Sequence, residues 1–268
     1  MLKQRIITAL WLMPLAIGGI FFLPFEYFAL FTASIVMLGA WEWANLSGFE
    51  QTGVRVGFSA LVGLSMFGIY QLPSEGVLMV GLAWWVLALV LVLSYPGLNN
   101  LWASKGIRIL IGFLILIPCW KGLLLLKQQA NSEIVLLYIC LMVWGADVGA
   151  YFAGRKWGVS KLAPKVSPGK SWAGFWGGMA SALLIGLAVG VYLDMATEQL
   201  MLLMAVSAVT VAVSVLGDLT ESMFKRFRGI KDSSQLLPGH GGILDRIDSL
   251  TAAVPVFALL LLLTGIRF

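Results

Sequence analysis

Two carboxylates and two cations are spaced as they would be on one face of a helix in residues 217–249, the most polar part of the sequence. Asp218, Glu221, Ser222, Lys225 and Arg226 follow one another within nine positions. On a helix this spacing places the five side chains on one face. Carboxylates followed by cations one turn later suit a divalent metal ion beside a phosphate group. The alternative is a surface helix with an ordinary ion pair between Glu221 and Lys225.

A further group of polar residues closes the same segment. Asp245 and Asp248 lie three positions apart at the predicted start of the last helix, where the helix dipole favours acids even without a function. With Asp218 and Glu221 they predict an oxygen-rich cluster for one or two metal ions. The only histidine, His240, lies among glycines that permit close backbone approach. It is either a structural residue or one that contacts phosphate or transfers a proton.

A second polar segment, residues 155–172, is rich in cations. Small donors near the predicted start of the seventh helix, Ser167 and Ser171, favour an anion site there. The Gly-Lys-Ser sequence at 169–171 is not a P-loop, because Pro164 stands where that motif requires Gly and no strand is predicted before it. The cations of this segment are Arg155, Lys156, Lys161, Lys165 and Lys170.

Two further carboxylates lie inside apolar runs. Asp147 stands well inside the sixth of these runs, and an intramembrane acid is expected to face the bundle interior and to serve function. We therefore expect it to contact substrate. Glu42, between Trp41 and Trp43 near the end of the second run, has the same interpretation. The alternative for Glu42 is a side chain that snorkels to the membrane surface.

The chain that carries these groups is apolar almost throughout. Of its 268 residues, 60% are hydrophobic and 12% are charged. Successive apolar runs of about 20 residues predict an all-α, polytopic integral membrane protein and exclude membrane-spanning strands. The N-terminal run imitates a signal peptide, but no small-residue cleavage site precedes Pro24, so we expect a retained helix. The nine predicted spans are 6–24, 26–46, 56–73, 77–95, 107–126, 134–154, 173–193, 199–217 and 249–266.

The distribution of Lys and Arg predicts the orientation of these spans. With the N-terminus in the cytoplasm, 15 of the 18 cations, including Lys3 and Arg5, fall on the cytoplasmic side. Only Lys121, Lys127 and Arg267 fall on the other side. The positive-inside rule therefore places both polar segments, and the active site, on the cytoplasmic face.

A single membrane domain, 1–268, is the expected organisation. The net charge of +5 indicates membrane anchoring and no nucleic-acid partner, because basic clusters interleaved with aromatic residues are absent. Cys119 and Cys140 lie in apolar runs and predict neither a disulfide nor a zinc site. The domain divides into N-terminal helices, 1–126, and a catalytic membrane region, 134–268, with cytosolic loops 155–172 and 218–248.

The order of the polar residues resembles the signature of the phosphatidate cytidylyltransferase (CDP-diacylglycerol synthase) family. That signature runs Ser, Lys-Arg, Lys-Asp, His-Gly-Gly, Asp-Arg and a final Asp. The segment GADVGAYFAGR, the segment KVSPGKSWAGFWGG, the opening MLKQRIITA and AWEW are similar too, so the resemblance covers essentially the whole chain. The signature positions are filled by Ser222, Lys225, Arg226, Lys231, Asp232, His240, Gly241, Gly242, Asp245, Arg246 and Asp248.

The resemblance implies an enzyme of the bacterial cytoplasmic membrane that converts CTP and phosphatidate into CDP-diacylglycerol and pyrophosphate. It also implies a Mg²⁺ requirement, a funnel-shaped site open to cytoplasm and membrane lipid, and a homodimer. The expected catalytic residues are Asp218, Lys225, Arg226, Asp245 and Asp248. The expected metal ligands are Asp218, Glu221, Asp245 and Asp248. The residues expected to bind substrate or phosphate are Asp147, Lys165, Ser167, Lys170, Ser222, Lys231 and His240.

Two other classes of protein remain as alternatives. Another CTP-dependent lipid transferase, or a CTP-dependent polyprenol kinase, would use the same groups with a different acceptor. A transporter would use the polar segments as a gate and the intramembrane acids as an ion path. The transporter is disfavoured because no matched, broken helices are present and the charge gathers on one side of the membrane.

Overall fold

The computed structural model describes the backbone of residues 2–268 and the side chains of Thr8 and of residues 10–268. A short 3-10 turn, Asn99–Leu101, precedes the fifth helix, and two antiparallel strands, β1 (Lys161–Ala163) and β2 (Ser167–Ser171), form a hairpin after the sixth. The described helices are α1 (Leu2–Phe22), α2 (Phe25–Leu46), α3 (Thr52–Ile69), α4 (Ser74–Ser94), α5 (Lys105–Lys127), α6 (Ser132–Trp157), α7 (Trp172–Tyr192), α8 (Thr197–Arg228) and α9 (Leu244–Thr264).

The helices confirm an all-α integral membrane protein. Eight of them, α2 to α9, are long and apolar enough to cross a membrane. In α1 the apolar part that can be assessed is Leu10–Phe22, and the side chains of Lys3 and Arg5, used above for the orientation, lie outside the described residues. Helix α3 begins and ends four residues before the predicted span 56–73. It ends early because the chain turns after Ile69 and Pro73 caps α4.

The polar segments are more ordered than the expected loops. Helix α8 continues past Gly217 to Arg228, which confirms the predicted helical extension and reduces the loop 218–248 to residues 229–243. The expected loop 155–172 begins inside α6 and then forms the β1–β2 hairpin, although no strand is predicted there. The strands are three and five residues long, too short to give an alternating hydrophobic pattern.

Small residues allow α6 and α7 to pack closely. A Cβ atom on Gly178 would lie 2.7 Å from the carbonyl oxygen of Ala146, and one on Gly174 would lie 3.0 Å from that of Ala150. Close backbone approach of this kind is typical of helix pairs in membranes. Gly174 and Gly178 therefore serve packing, and α6 and α7 form one wall of the bundle.

Helix α9 lies at the centre of the bundle. Residues 251–259 are all buried, and α9 packs against α4, α5, α6 and α8. Its N-terminus meets the C-terminal end of α8, the hairpin and the 229–243 loop at one end of the molecule. Helix α1 reaches the same end, where the Thr8 hydroxyl donates to the carbonyl of Pro238 at 3.0 Å. The two polar segments therefore meet, as the sequence predicts.

Candidate active site

A buried ion-pair triad joins the end of α8 to the start of α9. The Lys225 ammonium lies 2.7 Å from Asp245 and 3.3 Å from Glu221. Glu221 and Lys225 are four residues apart on α8, so the helix itself brings this pair together. Asp245 comes from the first turn of α9. The simple surface pair considered for the sequence is therefore incorrect, because the Glu221 side chain is only 4% exposed and Lys225 only 13%.

The second oxygen of Asp245 organises the 229–243 loop. Its Oδ2 atom accepts from the backbone N–H of Ser233 at 2.9 Å, from the Ser233 hydroxyl at 2.9 Å and from the N–H of Gly242 at 2.7 Å. The other oxygen is already taken by Lys225. Asp245 thus has both oxygens engaged, and it ties loop, α8 and α9 together.

The glycines of the His-Gly-Gly sequence make room for two carboxylates. Gly241 has φ +84°, a conformation that L side chains rarely adopt, and a Cβ there would lie 2.7 Å from Asp245 Oδ2. A Cβ on Gly242 would lie 2.5 Å from Glu42 Oε1. Each glycine therefore permits a carboxylate to reach the backbone N–H groups of this loop.

Glu42 is the second of these carboxylates, and it comes from α2. It is 0% exposed, so the snorkelling alternative is incorrect. Its oxygens accept from the N–H groups of Ile243 at 3.0 Å and Leu244 at 2.6 Å, which lack partners within α9. They also accept from the hydroxyls of Ser234 at 2.6 Å and Ser233 at 3.1 Å. Glu42 therefore caps the N-terminus of α9 from another helix.

Asp218 connects α8 to the hairpin. Its carboxylate lies 2.7 Å from the Lys170 ammonium on β2 and accepts from the Ser222 hydroxyl at 3.1 Å. About two turns further along α8, the Arg226 guanidinium donates to the carbonyl of Val166 at 3.2 Å. These contacts position the hairpin over the end of α8.

Two carboxylates of the cluster, Glu221 and Asp248, receive few hydrogen bonds. Within the described side chains, neither oxygen of the buried Glu221 accepts a hydrogen bond. Asp248 accepts from the N–H of its own neighbour, Ser249, and lies close enough to Glu221 and Asp218 for mutual electrostatic repulsion. Buried like charges require a nearby cation or proton. Among the described residues, however, no three carboxylate, histidine or cysteine side chains form a ready-made metal site.

The remaining predicted residues lie around this centre rather than in it. Lys231 is exposed, and Ser167 is half-buried at the start of β2. Lys165 is exposed at the hairpin tip, beside an apolar cavity of about 460 Å³ between α4, α7 and α8. His240 is half-buried in the loop, and its Nδ1 atom is buried without a partner in the described part of the chain.

Asp147 lines a second cavity, of about 400 Å³. The cavity lies between α6, α7 and α8 and is also lined by Lys170 and Ser171 of β2. Asp147 is exposed although it lies ten residues before the end of α6, roughly 15 Å along the helix. Asp147 therefore lines an open cavity beside α7 and α8, and its expected role in substrate binding stays a prediction.

Comparison with known proteins identifies the architecture that carries this site. Residues 3–264 match the cytidylyltransferase family. The chain belongs to that family. A protein of Pseudomonas aeruginosa named phosphatidate cytidylyltransferase is 55% identical over 267 residues, which cover 99% of this chain and 98% of the relative. Proteins of the same name from Haemophilus influenzae and Brucella suis are 41% and 36% identical, and each match covers 96% of this chain and 98% or 92% of the relative.

In this cytidylyltransferase, the hydrogen-bond partners that hold the carboxylate cluster in place are not predicted from the sequence. The Asn45 amide donates to the carbonyl of Ser233 at 2.9 Å, and Ser233 and Ser234 both donate to Glu42. A carboxylate between two tryptophans in an apolar helix is the only signal for this network in the sequence. This signal marks Glu42 as an unusual residue, but it does not predict which groups donate hydrogen bonds to it.

Proposed function

We propose that the protein is a phosphatidate cytidylyltransferase, which converts CTP and phosphatidate into CDP-diacylglycerol and pyrophosphate. Membership of the cytidylyltransferase family and the near full-length relatives of that name support the proposal. The observation that carries it is the meeting of the Lys170–Asp218 pair with the Lys225, Glu221 and Asp245 triad at one end of a membrane bundle. Two phosphate-bearing substrates need cations and acids arranged together in this way.

The reaction joins two phosphates in a single displacement. A phosphate oxygen of phosphatidate attacks the α-phosphorus of CTP and forms a new P–O–P bond. The bond between the α-phosphorus and its bridging oxygen breaks, and pyrophosphate leaves with the electron pair. A phosphate monoester is largely ionised near neutral pH, because its second pKa is about 6, so the attacking oxygen needs no strong base from the protein.

The cations of the site neutralise the charge that these substrates bring together. Lys170, on the hairpin, faces both the Asp147 cavity and Asp218, so it is the first cation available to the triphosphate. Lys165 and Lys231 are exposed and suit phosphates that approach from the solvent side. Lys225 and Arg226 hold protein groups in this structure, and they bind phosphate by exchanging those partners.

The proposal includes a Mg²⁺ site built from the acids of α8 and α9. When bound, one or two such ions neutralise phosphate charge and polarise the phosphoryl group. The donor set fits a hard cation, because the buried Glu221 accepts no hydrogen bond within the described side chains and Asp248 and Asp218 lie within electrostatic reach. Lys225, 3.3 Å from Glu221, is the cation that the metal ion would replace. Asp245 becomes a further metal ligand when Lys225 binds phosphate, because the Oδ1 oxygen of Asp245 then loses its contact with Lys225.

The proposed setting is the cytoplasmic membrane of a bacterium, with the polar end of the bundle in the cytosol. The asymmetry of Lys and Arg supports this orientation. Labelling of a cysteine placed at exposed Lys165 by a membrane-impermeant thiol reagent, in inside-out but not right-side-out vesicles, tests it. The homodimer rests on the family resemblance, and the mass of the protein in detergent tests it.

One assay tests the activity. Purified protein with α-³²P-labelled CTP and phosphatidate in detergent micelles is expected to form labelled CDP-lipid when Mg²⁺ is present. Chelation by EDTA is expected to reduce the rate by at least about 10²-fold, because the phosphate charges are then opposed by Lys and Arg alone. Restoring Mg²⁺ should restore the rate.

The outcomes separate the alternatives. Labelled CDP-lipid from phosphatidate supports the proposed reaction. Transfer of label only from γ-³²P-labelled CTP to a polyprenol would instead indicate a kinase. Normally folded protein that leaves CTP intact under all of these conditions would disprove the enzyme.

A further inference from the structure

We propose that the cavity between α6, α7 and α8 binds the cytosine ring of CTP, with the Asp147 carboxylate as acceptor for its exocyclic amine. The proposal rests on the proposed function and deepens it, because it locates recognition of the base. The cavity, of about 400 Å³, lies within the range of small-ligand pockets. Small residues such as Ala150, Gly154 and Gly178 line it and leave room for a flat ring.

The state of Asp147 is the first argument. In the described part of the chain it accepts no hydrogen bond and forms no ion pair, whereas Asp218 is paired with Lys170 and Asp245 with Lys225. The charged groups that act on it are Lys170, Asp218 and Arg246. A carboxylate with free oxygens repels a phosphate and attracts an N–H donor. A neutral N–H donor of the substrate therefore fits this carboxylate, whereas a phosphate does not.

The order of groups along the cavity is the second argument. Asp147 lies ten residues before the end of α6, and Lys170, on the hairpin, lines the same cavity while it pairs with Asp218. CTP carries its base at one end and its phosphates at the other. With the base at Asp147, the triphosphate points to Lys170 and to the acids of α8, where the reaction takes place.

Two aromatic rings provide the third argument. Tyr151 from α6 and Phe175 from α7 both line the cavity. Nucleobases stack on aromatic faces without regard to sequence, so these rings support any pyrimidine. Specificity must then come from polar groups. Cytosine presents an N4 amine where uracil presents an oxygen, so a carboxylate accepts from the first and repels the second.

Asp147→Asn tests this assignment. Its amide oxygen accepts from cytosine and its amide nitrogen donates to uracil, so discrimination between the two bases should weaken. We expect the ratio of kcat/KM for CTP to that for UTP to fall by about ten-fold or more, mainly through the KM values. The Mg²⁺ concentration for half-maximal activity should stay unchanged. Binding of CMP and UMP to the lipid-free protein, measured by calorimetry, should show the same loss of discrimination.

Asp194→Asn is the matched control, because Asp194 is exposed in the turn between α7 and α8 and far along the chain from the cavity residues. It should keep the wild-type preference for cytidine nucleotides. An unchanged base preference in Asp147→Asn, or a shift only in its Mg²⁺ requirement, would refute the cytosine site. Wild-type protein that binds CMP over UMP but forms no CDP-lipid would instead refute the proposed function and keep the site.

Discussion

Replacing Asp218 with alanine should reduce formation of CDP-lipid by at least about 10²–10³-fold in protein that remains folded. Asp218 is the residue at which α8 contacts the hairpin, through the 2.7 Å pair with Lys170. It also belongs to the acid set proposed for the metal ion. Its removal takes away one ligand and leaves Lys170 without the carboxylate that positions it, and losses of this size are typical of electrostatic groups in active sites.

The prediction is best measured as initial rate at saturating CTP and phosphatidate, with the apparent melting temperature recorded for each variant. Asp218 is only partly buried, with a side chain 28% exposed, so the fold should tolerate the change. Glu198→Gln, at the exposed first turn of the same helix, is the matched control and should retain full activity. Near-wild-type turnover in Asp218→Ala would remove Asp218 from the active site.

Asp245 gives a less direct test of the same cluster. Asp245→Ala should also abolish turnover, but it removes acceptors from Ser233, Gly242 and Lys225 at once. Its loss of activity would therefore combine chemistry with disorder of the loop. Comparing the melting temperatures of the two variants separates these effects, because only the Asp245 variant should unfold earlier.

Glu42→Ala is expected to destabilise the protein by about 3–5 kcal/mol and to abolish activity without touching a substrate. The change leaves three donors, two N–H groups at the start of α9 and the hydroxyl of Ser234, without their buried acceptor, whereas the Ser233 hydroxyl keeps Asp245 at 2.9 Å. Buried donors that lose a charged partner carry costs of this size. The start of α9 should then shift, and Asp245 and Asp248 with it.

Thermal unfolding in detergent, followed by circular dichroism, measures this effect. Glu42→Gln keeps the volume and one acceptor oxygen, so it should lie between Glu42→Ala and wild type in both stability and rate. Glu26→Gln, exposed in the first turn of the same helix, should match wild type. If Glu42→Ala melts and turns over as wild type does, Glu42 has no part in holding α9.

The sequence predicts the fold and the location of the polar groups well, because both depend on local pattern. The apolar runs predicted the helices, and the spacing of Asp218, Glu221 and Lys225 predicted the extension of α8. The position of Asp245 and Asp248 at the start of the last helix also followed from the sequence. Predicting these features requires only the helical periodicity of the side chains and the free-energy cost of placing a charge in lipid.

The partners of the polar groups could not be predicted in the same way. Lys225 pairs with Asp245 across 20 residues, and Glu42 bonds with Ser234 across 192. Such pairs depend on how helices pack, and several cations were equally available to each acid. The hairpin could not be predicted for a different reason, because its strands of three and five residues are too short for a hydrophobic pattern.

Glu42 also bears on how this protein can be cut and recombined. The loop 229–243 takes its shape from α2, through Glu42 and Asn45, so the C-terminal helices do not form a self-sufficient module. A chimera that takes residues 1–126 from one relative and 134–268 from another must carry the acid on α2 and the serines at 233 and 234 as a matched set. The two parts therefore depend on each other structurally, although the proposed chemistry lies in the second.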